Sequence, residues 1–493
     1  MKTIWKNNRI GLIFLAAVFL FFLLWFTRIY PIVISTTDDY YDMANHRHIF
    51  PAWHGSEPTR VFPEVFMPLV SQGASLLFRL FGGSILDWLT FGWAFWAAGA
   101  LTALAGALYV LFRKAGASEW LICGGLLVFL LMHFWIFKQK QQDGNLYMLY
   151  SEYACTYFHY VIPNLMNAVL VVWLHVDRDL HQLFQPGKRL KKAFFVFYAY
   201  FCIFSNIWAS MILAAWLGVQ FVVSIVSGIR QKQPFGKWIG EHYVVLLLIA
   251  LWLISQFFEL NGQRAAAVES YRADSFGGVQ GSVRHIFGLL NTRYMIFCIL
   301  IIAGGLISLC FRKDRKMLGE LGIWLASLAL CVAYLLLSCS IMTADYLLRP
   351  DVFYGAFFFG ALIVLRCFFE LLRRFPAGKL IVPLLLIFML VECNSMGRTY
   401  KDSVTRYRGE TAATHVRINQ DILDQLKRAE ESGEKEVVLH VPNYANPDNW
   451  PYSIAAGEAI SKAFHKYGVL KEEIVITEII PDQEKNTELG LAW

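Results

Sequence analysis

Charge is scarce in this chain. Of its 493 residues, 16% are Asp, Glu, Lys or Arg, against roughly a quarter in an ordinary soluble domain. With 57% of the residues apolar, a soluble fold has nowhere to hide the excess, so a cytosolic multidomain enzyme is excluded. Disorder is excluded as well, because the sequence carries 40 Phe, 22 Tyr and 16 Trp. Nine cysteines are scattered, nearly all inside apolar stretches, and none forms a Cys-x-x-Cys pair. They read as small core residues rather than bridges or metal ligands. The sequence contains no internal repeat and no low-complexity segment. Its net charge of +7 sits in short clusters between apolar runs, with no continuous basic face, so nucleic acid is not an expected partner. What remains is an α-helical polytopic membrane protein.

The first apolar run, residues 10–26, follows Lys2, Lys6 and Arg9. No small-residue cleavage site follows it, and Trp25, Arg28 and Tyr30 suit an interfacial belt, so it is expected to be a retained span. Further spans are expected at 88–112, 119–137, 161–176, 193–207, 209–228, 243–258, 293–311, 318–340, 352–372 and 380–396, which makes about 11 in all. Ser205 and Asn206 mark either a tight turn or a kink in one long helix. Residues 65–81 contain Pro68, Gln72, Gly73 and Arg79, which suits an amphipathic helix lying at the interface rather than a span.

Orientation follows from Lys and Arg in the connections. One side holds 21 of them, including the N-terminal three, and the other holds 11 in much longer loops. The N-terminus is therefore expected in the cytoplasm, and an odd span count puts the C-terminus outside. The outer loops before the tail carry nine Arg and only two Lys. Arg is the better fork for phosphate oxygens, although it also suits interfacial snorkelling. From about residue 394 the composition becomes that of a soluble protein. The expected division is a membrane domain over 1–396 and a small α/β extracytoplasmic domain over 397–493. In the tail the pattern predicts helix (411–431), strand (436–441), loop (442–451), helix (453–467) and strand (473–480).

The most informative stretch lies in the outer loop 27–87: Ser35-Thr-Thr-Asp-Asp-Tyr-Tyr-Asp42, then His46, His48, His54 and Arg60. Of two adjacent acids, one can accept a proton from an attacking hydroxyl while its neighbour fixes the geometry or shares a divalent metal. A helix starting near Asp39 returns Asp42 to the same face. Helix capping explains the same Asp residues without any function. The three histidines are irregularly spaced and imply no zinc geometry.

A first span, an outer loop opening on an acidic pair, an apolar helix ending in Phe78-Arg-Leu-Phe-Gly82 and a second span ending in Arg113-Lys114 resemble the GT-C class of membrane glycosyltransferases. The similarity is greatest to the lipid-A aminoarabinose and protein mannosyl transferase branch and to bacterial relatives that decorate surface polysaccharides. It covers about residues 1–115; beyond them only span count and topology agree. The second acid of the pair, often Glu in that class, is Asp here. The resemblance implies a multi-pass protein of the bacterial cytoplasmic (plasma) membrane. Its donor would be a polyprenyl-phosphate sugar and its acceptor an extracytoplasmic glycan, lipid or protein. It implies Asp38 or Asp39 as the catalytic base, and either no cofactor or a divalent cation (Mg or Mn) held by that pair.

The leaving phosphate of such a donor needs cations at the membrane surface. Arg60, Arg272, Arg293 and Arg349 are the expected phosphate contacts. Arg272 falls in a loop, 259–293, long enough to form a lid. Asp42, His54, Glu152 and Tyr346 are the expected substrate contacts. His159-Tyr160 suits either sugar stacking or a membrane-interface belt, and the belt is the preferred expectation. Two other classes fit the composition. A transporter or flippase of a lipid-linked saccharide would place polar groups at mid-membrane, whereas here the spans are nearly uncharged. A polysaccharide polymerase or ligase would expose its key loop late in the chain.

Overall fold

The computed structural model describes residues 8–138, 146–151, 153–177, 189–263, 265, 275–341, 344–374, 378–395, 411–443 and 454–491. Long apolar helices dominate. In chain order they are α1 (Arg9–Ile29), a short helix α2 (Thr37–Ala44), α3 (Val61–Phe81), α4 (Ile85–Lys114), α5 (Glu119–Trp135), α6 (Ala154–Val176), α7 (Arg189–Ile203), α8 (Ile207–Arg230), α9 (Phe235–Leu260), α10 (Ser275–Leu289), α11 (Thr292–Arg312), α12 (Arg315–Ile341), α13 (Pro350–Arg374) and α14 (Gly378–Ser395). Among the described residues nine helices are long and apolar enough to cross a membrane: α1, α3, α4, α6, α8, α9, α11, α12 and α13. The chain is an α-helical polytopic membrane protein.

This list differs from the expected spans in two ways. Helices α5, α7 and α14, of 17, 15 and 18 residues, are not among those nine. Helix α3 begins at Val61 rather than at residue 65, and its 21 residues reach the length of a span. The ambiguity near Ser205 resolves as two helices. Asn206 is extended and its side chain accepts from the backbone N–H of Trp208 at 2.9 Å, an N-cap that starts α8 afresh.

Helix ends fall into two groups. At one face Lys114 donates to the Val176 carbonyl at 3.1 Å, and Arg366 and Arg312 reach Glu320 and Glu370. At the other face Phe62 N–H donates to the Phe204 carbonyl at 2.9 Å and Gln263 N–H to that of Gly55 at 3.0 Å. Asn291 N–H donates to the Ile136 carbonyl there at 2.8 Å. Helix α3 doubles back on α4 through Gly82 and Gly83, whose φ values of 71° and 89° favour glycine. In this hairpin the Trp93 indole donates to Ser71 Oγ at 3.1 Å, and Phe81 lies against Trp88.

The tail folds as α15 (Ala412–Glu431), β1 (Glu436–Pro442), α16 (Ile454–Lys466), β2 (Val475–Asp482) and α17 (Gln483–Glu488), with β1 and β2 paired in parallel. The second strand runs two residues later than expected. Alternation drives the layout: Leu439, Val441, Ile476 and Ile479 are buried against α15 and α16, which contribute Ile422, Leu426, Ile460 and Phe464. The expected boundary at 396/397 and most of the 442–451 loop lie outside the described residues. All nine cysteines are free thiols, and seven are buried.

Candidate functional site

The site is organised by α2. Thr36 is extended at the N-cap and Asp39, three residues on, closes a capping box. Asp39 is fully buried. Its Oδ2 accepts from the N–H groups of Ser35 (2.8 Å) and Thr36 (3.2 Å), and its Oδ1 from that of Cys155 at 2.6 Å. Both oxygens are thus committed to backbone, and the side chain pins the start of α2 to the start of α6. Burial pushes its carboxyl up to about 7, against the pull of those N–H donors.

Asp38 points elsewhere. Among the described residues it takes no hydrogen bond, and its charge neighbours are Asp42, His159, Glu57 and Arg60. Burial first, then Asp42 and Glu57, raise its carboxyl above the ordinary range, with His159 and Arg60 opposing. One helical turn on, Asp42 Oδ2 meets His159 Nε2 at 2.8 Å. The other ring nitrogen of His159 lies 3.2 Å from Arg60 Nη1, and Arg60 also binds Glu57 at 2.7 Å. Burial works against the Arg60 charge, but Glu57, Tyr160, Glu259 and Tyr346 outweigh it and hold the guanidinium above its usual range. His159 is presented by a π-helical turn, Tyr157–Val161, that opens α6 ahead of Pro163. Such turns recur at functional positions in helices.

The wall beyond Arg60 is aromatic and cationic. The Arg349 guanidinium sits 4.4 Å over the Tyr160 ring and 5.5 Å from that of Tyr346. It grips Asp351 with two hydrogen bonds, at 3.1 and 2.8 Å. Asp351 in turn accepts from Ser151 Oγ at 3.2 Å, and Asn164 Nδ2 donates to its carbonyl at 2.6 Å. Trp208 lies 4.7 Å from Tyr346 and 6.1 Å from Tyr160. Two guanidiniums beside stacked aromatics are chemically suited to an anionic group, and the Asp38 carboxylate beside them can accept a proton or a hydrogen bond.

The expected residues divide accordingly. Asp38, Asp42, Arg60, Tyr346 and Arg349 come together. Asp39 stands behind them as a backbone cap, so the two adjacent acids do not converge on one ion and do not fit a shared metal. Among the described residues no group of three or more His, Cys, Asp or Glu is placed to hold a metal. His54 is exposed, at φ 55°, with Nδ1 3.0 Å from the Asn261 carbonyl. It belongs to the loop against the end of α9. Arg293 pairs with Glu392 of α14 instead. Arg272 and Glu152 lie outside the described residues. His159 and Tyr160, expected in an interfacial belt, are buried inside the cluster. Glu57 and Asp351 were not expected there at all; each fixes an arginine.

No family model matches the chain, and no curated protein or solved structure matches it.

Proposed function

We propose that the protein is a membrane glycosyltransferase of the GT-C type, moving a sugar from a polyprenyl-phosphate donor to an extracytoplasmic hydroxyl acceptor. The observation that carries this is the Asp38 carboxylate beside Arg60, which takes no hydrogen bond among the described residues, on the same polar face as Arg349 and its aromatic seat. In the proposed step the acceptor hydroxyl oxygen attacks the anomeric carbon and Asp38 takes its proton. The bond from that carbon to the phosphate oxygen breaks, and the phosphate leaves with its electron pair toward Arg60 and Arg349. Attack opposite to departure inverts the anomeric centre. Raising the carboxyl by burial makes it a better base when ionised, and a guanidinium aimed at the leaving group stabilises charge where it develops.

The placement of helix ends supports eleven crossings, by α1, α4, α5, α6, α7, α8, α9, α11, α12, α13 and α14. Helix α3 would then lie at the interface despite its length. Its first residues contact Phe204 and its last turn feeds the start of α4, both at the site face. Helix α4, at about 45 Å, exceeds the roughly 30 Å hydrocarbon core, and α3 flanks the surplus. With the basic bias on the opposite face, the N-terminus is cytoplasmic and the site and tail are extracytoplasmic. A transporter of lipid-linked saccharide is less well supported. The half-buried Glu320 and the buried Glu370 lie near the opposite face, each paired with arginine, rather than lining a mid-membrane path.

The test is purified protein offered a panel of polyprenyl-phosphate sugars, with release of polyprenyl phosphate as readout. Release by the natural chain and its loss in Asp38→Asn is the expected result. Undiminished release by that variant overturns the base assignment.

A further inference from the structure

We infer that the C-terminal α/β unit is a positioning clamp on α2, the helix that carries Asp38 and Asp42. Only the kinetic arm of the test below rests on the proposed glycosyl transfer.

Helix α2 spans eight residues, too few to hold its shape without tertiary contacts. Its last carbonyls have no partner within the helix, and the tail supplies one. Lys466 Nζ donates to the carbonyls of Met43 (2.8 Å) and Ala44 (3.0 Å), and the Tyr467 hydroxyl donates to Met43 at 2.7 Å. A second bolt engages the other end. Asn419 of α15 donates from Nδ2 to the Ile34 carbonyl at 2.9 Å, and its Oδ1 accepts from the Tyr40 hydroxyl at 2.6 Å. Between the bolts the Tyr40 ring packs edge-on against Phe464. The clamp is itself seated on the membrane helices, because Ser75 Oγ of α3 donates to the Tyr467 carbonyl.

The geometry separates two faces of one short helix. Tyr40, Met43 and Ala44 are buried, and all three are held by the tail. Asp38 and Asp42 face His159 and Arg60. A shift of α2 therefore moves the acid and the His159–Arg60 contact together. The bolts are polar and directional, buried at Asn419 and Tyr467 and half-buried at Lys466, so they fix the position of α2 more tightly than apolar contact alone.

The test compares Lys466→Met, Tyr40→Phe and Lys466→Arg with the natural chain, each full-length in detergent. Hydrogen–deuterium exchange of the α2 amides is the structural arm. Exchange is expected to quicken in Lys466→Met and Tyr40→Phe and to stay near the natural rate in Lys466→Arg, which keeps the donors. The kinetic arm is the split between kcat and KM. Displacing a catalytic group by about 1 Å costs up to a hundredfold, so Lys466→Met should lose roughly tenfold in kcat with donor KM unchanged, and Lys466→Arg should recover it. Unchanged exchange in both weakened variants overturns the clamp. So does quickened exchange with full kcat. If the natural chain transfers none of the sugars offered, the glycosyltransferase proposal fails, and the exchange result alone decides the clamp.

Discussion

Arg60 and His159 meet through one contact, Nη1 to Nδ1 at 3.2 Å, and that contact determines where the imidazole proton sits. A guanidinium has donors only, so Nδ1 must accept. The ring proton is then on Nε2 and is donated to Asp42 at 2.8 Å. His159 thus carries the position of α2 over to Arg60.

It follows that His159 and Arg60 act as one unit. A double-mutant cycle between His159→Phe and Arg60→Lys, read in kcat/KM, should show a coupling of about 1–2 kcal/mol. Additive losses would mean that the two side chains work independently.

The adjacent acids should separate cleanly. Asp38→Asn should lower transfer by roughly a hundredfold or more while leaving thermal stability intact. Asp39→Asn turns an amide group toward backbone N–H donors, and the lost pairing should cost about 1–2 kcal/mol of stability. Thermal unfolding in detergent checks the second, and sugar transfer at a temperature below both midpoints checks the first. Equal melting points for the two variants would contradict the cap assigned to Asp39.

The acid limb of the pH–kcat profile should report Asp38. Burial, then Asp42 and Glu57, raise its carboxyl, so the base is lost to protonation at a higher pH than an ordinary aspartate. Asp42→Asn removes one of those negative neighbours and still accepts from His159. The carboxyl of Asp38 then falls, ionisation persists to lower pH, and the midpoint of the limb moves down. A midpoint that stays put or rises argues against Asp38 as the titrating base.

Arg349→Lys keeps the charge but loses both the fork on Asp351 and the stacking on Tyr160. Donor KM should rise roughly tenfold, with the folded yield preserved because a cation still neighbours Asp351. Direct binding of a non-hydrolysable polyprenyl phosphonate, followed by calorimetry, provides an independent measure. Unaltered affinity would remove Arg349 from the donor site.

Much of this site is legible in the sequence because it is local. An i, i+4 spacing brings Asp38 and Asp42 to one face, and the outer arginines stand out in a chain so poor in charge. The role of Asp39 was also within reach: Thr36 three residues ahead of it is a capping-box spacing, with Asp in the place of the usual Glu or Gln. His159 and Tyr160 were not. A π turn leaves no period in the sequence, and an aromatic run at a span mouth is the common signature of a lipid interface. Arg293 and His54 went astray for a different reason. Which acid or carbonyl an arginine or histidine finds depends on contacts from distant helices, here Glu392 and Asn261, that spacing cannot supply. The helix break at Asn206 was narrowed to two readings by its polar pair and decided by one hydrogen bond.

The bond from Tyr40 to Asn419 joins positions 379 residues apart. Synthesis proceeds from the N-terminus, and domains generally fold as they emerge, yet the first polar element to leave the membrane must wait for nearly the last. Until the tail has been translated and delivered to the site face, α2 lacks both of the fastenings that the tail supplies. A ribosome-bound or prematurely terminated chain would therefore carry the acid cluster on a helix held only by the Asp39 cap. Completion of the polypeptide becomes the event that fixes α2 from both ends.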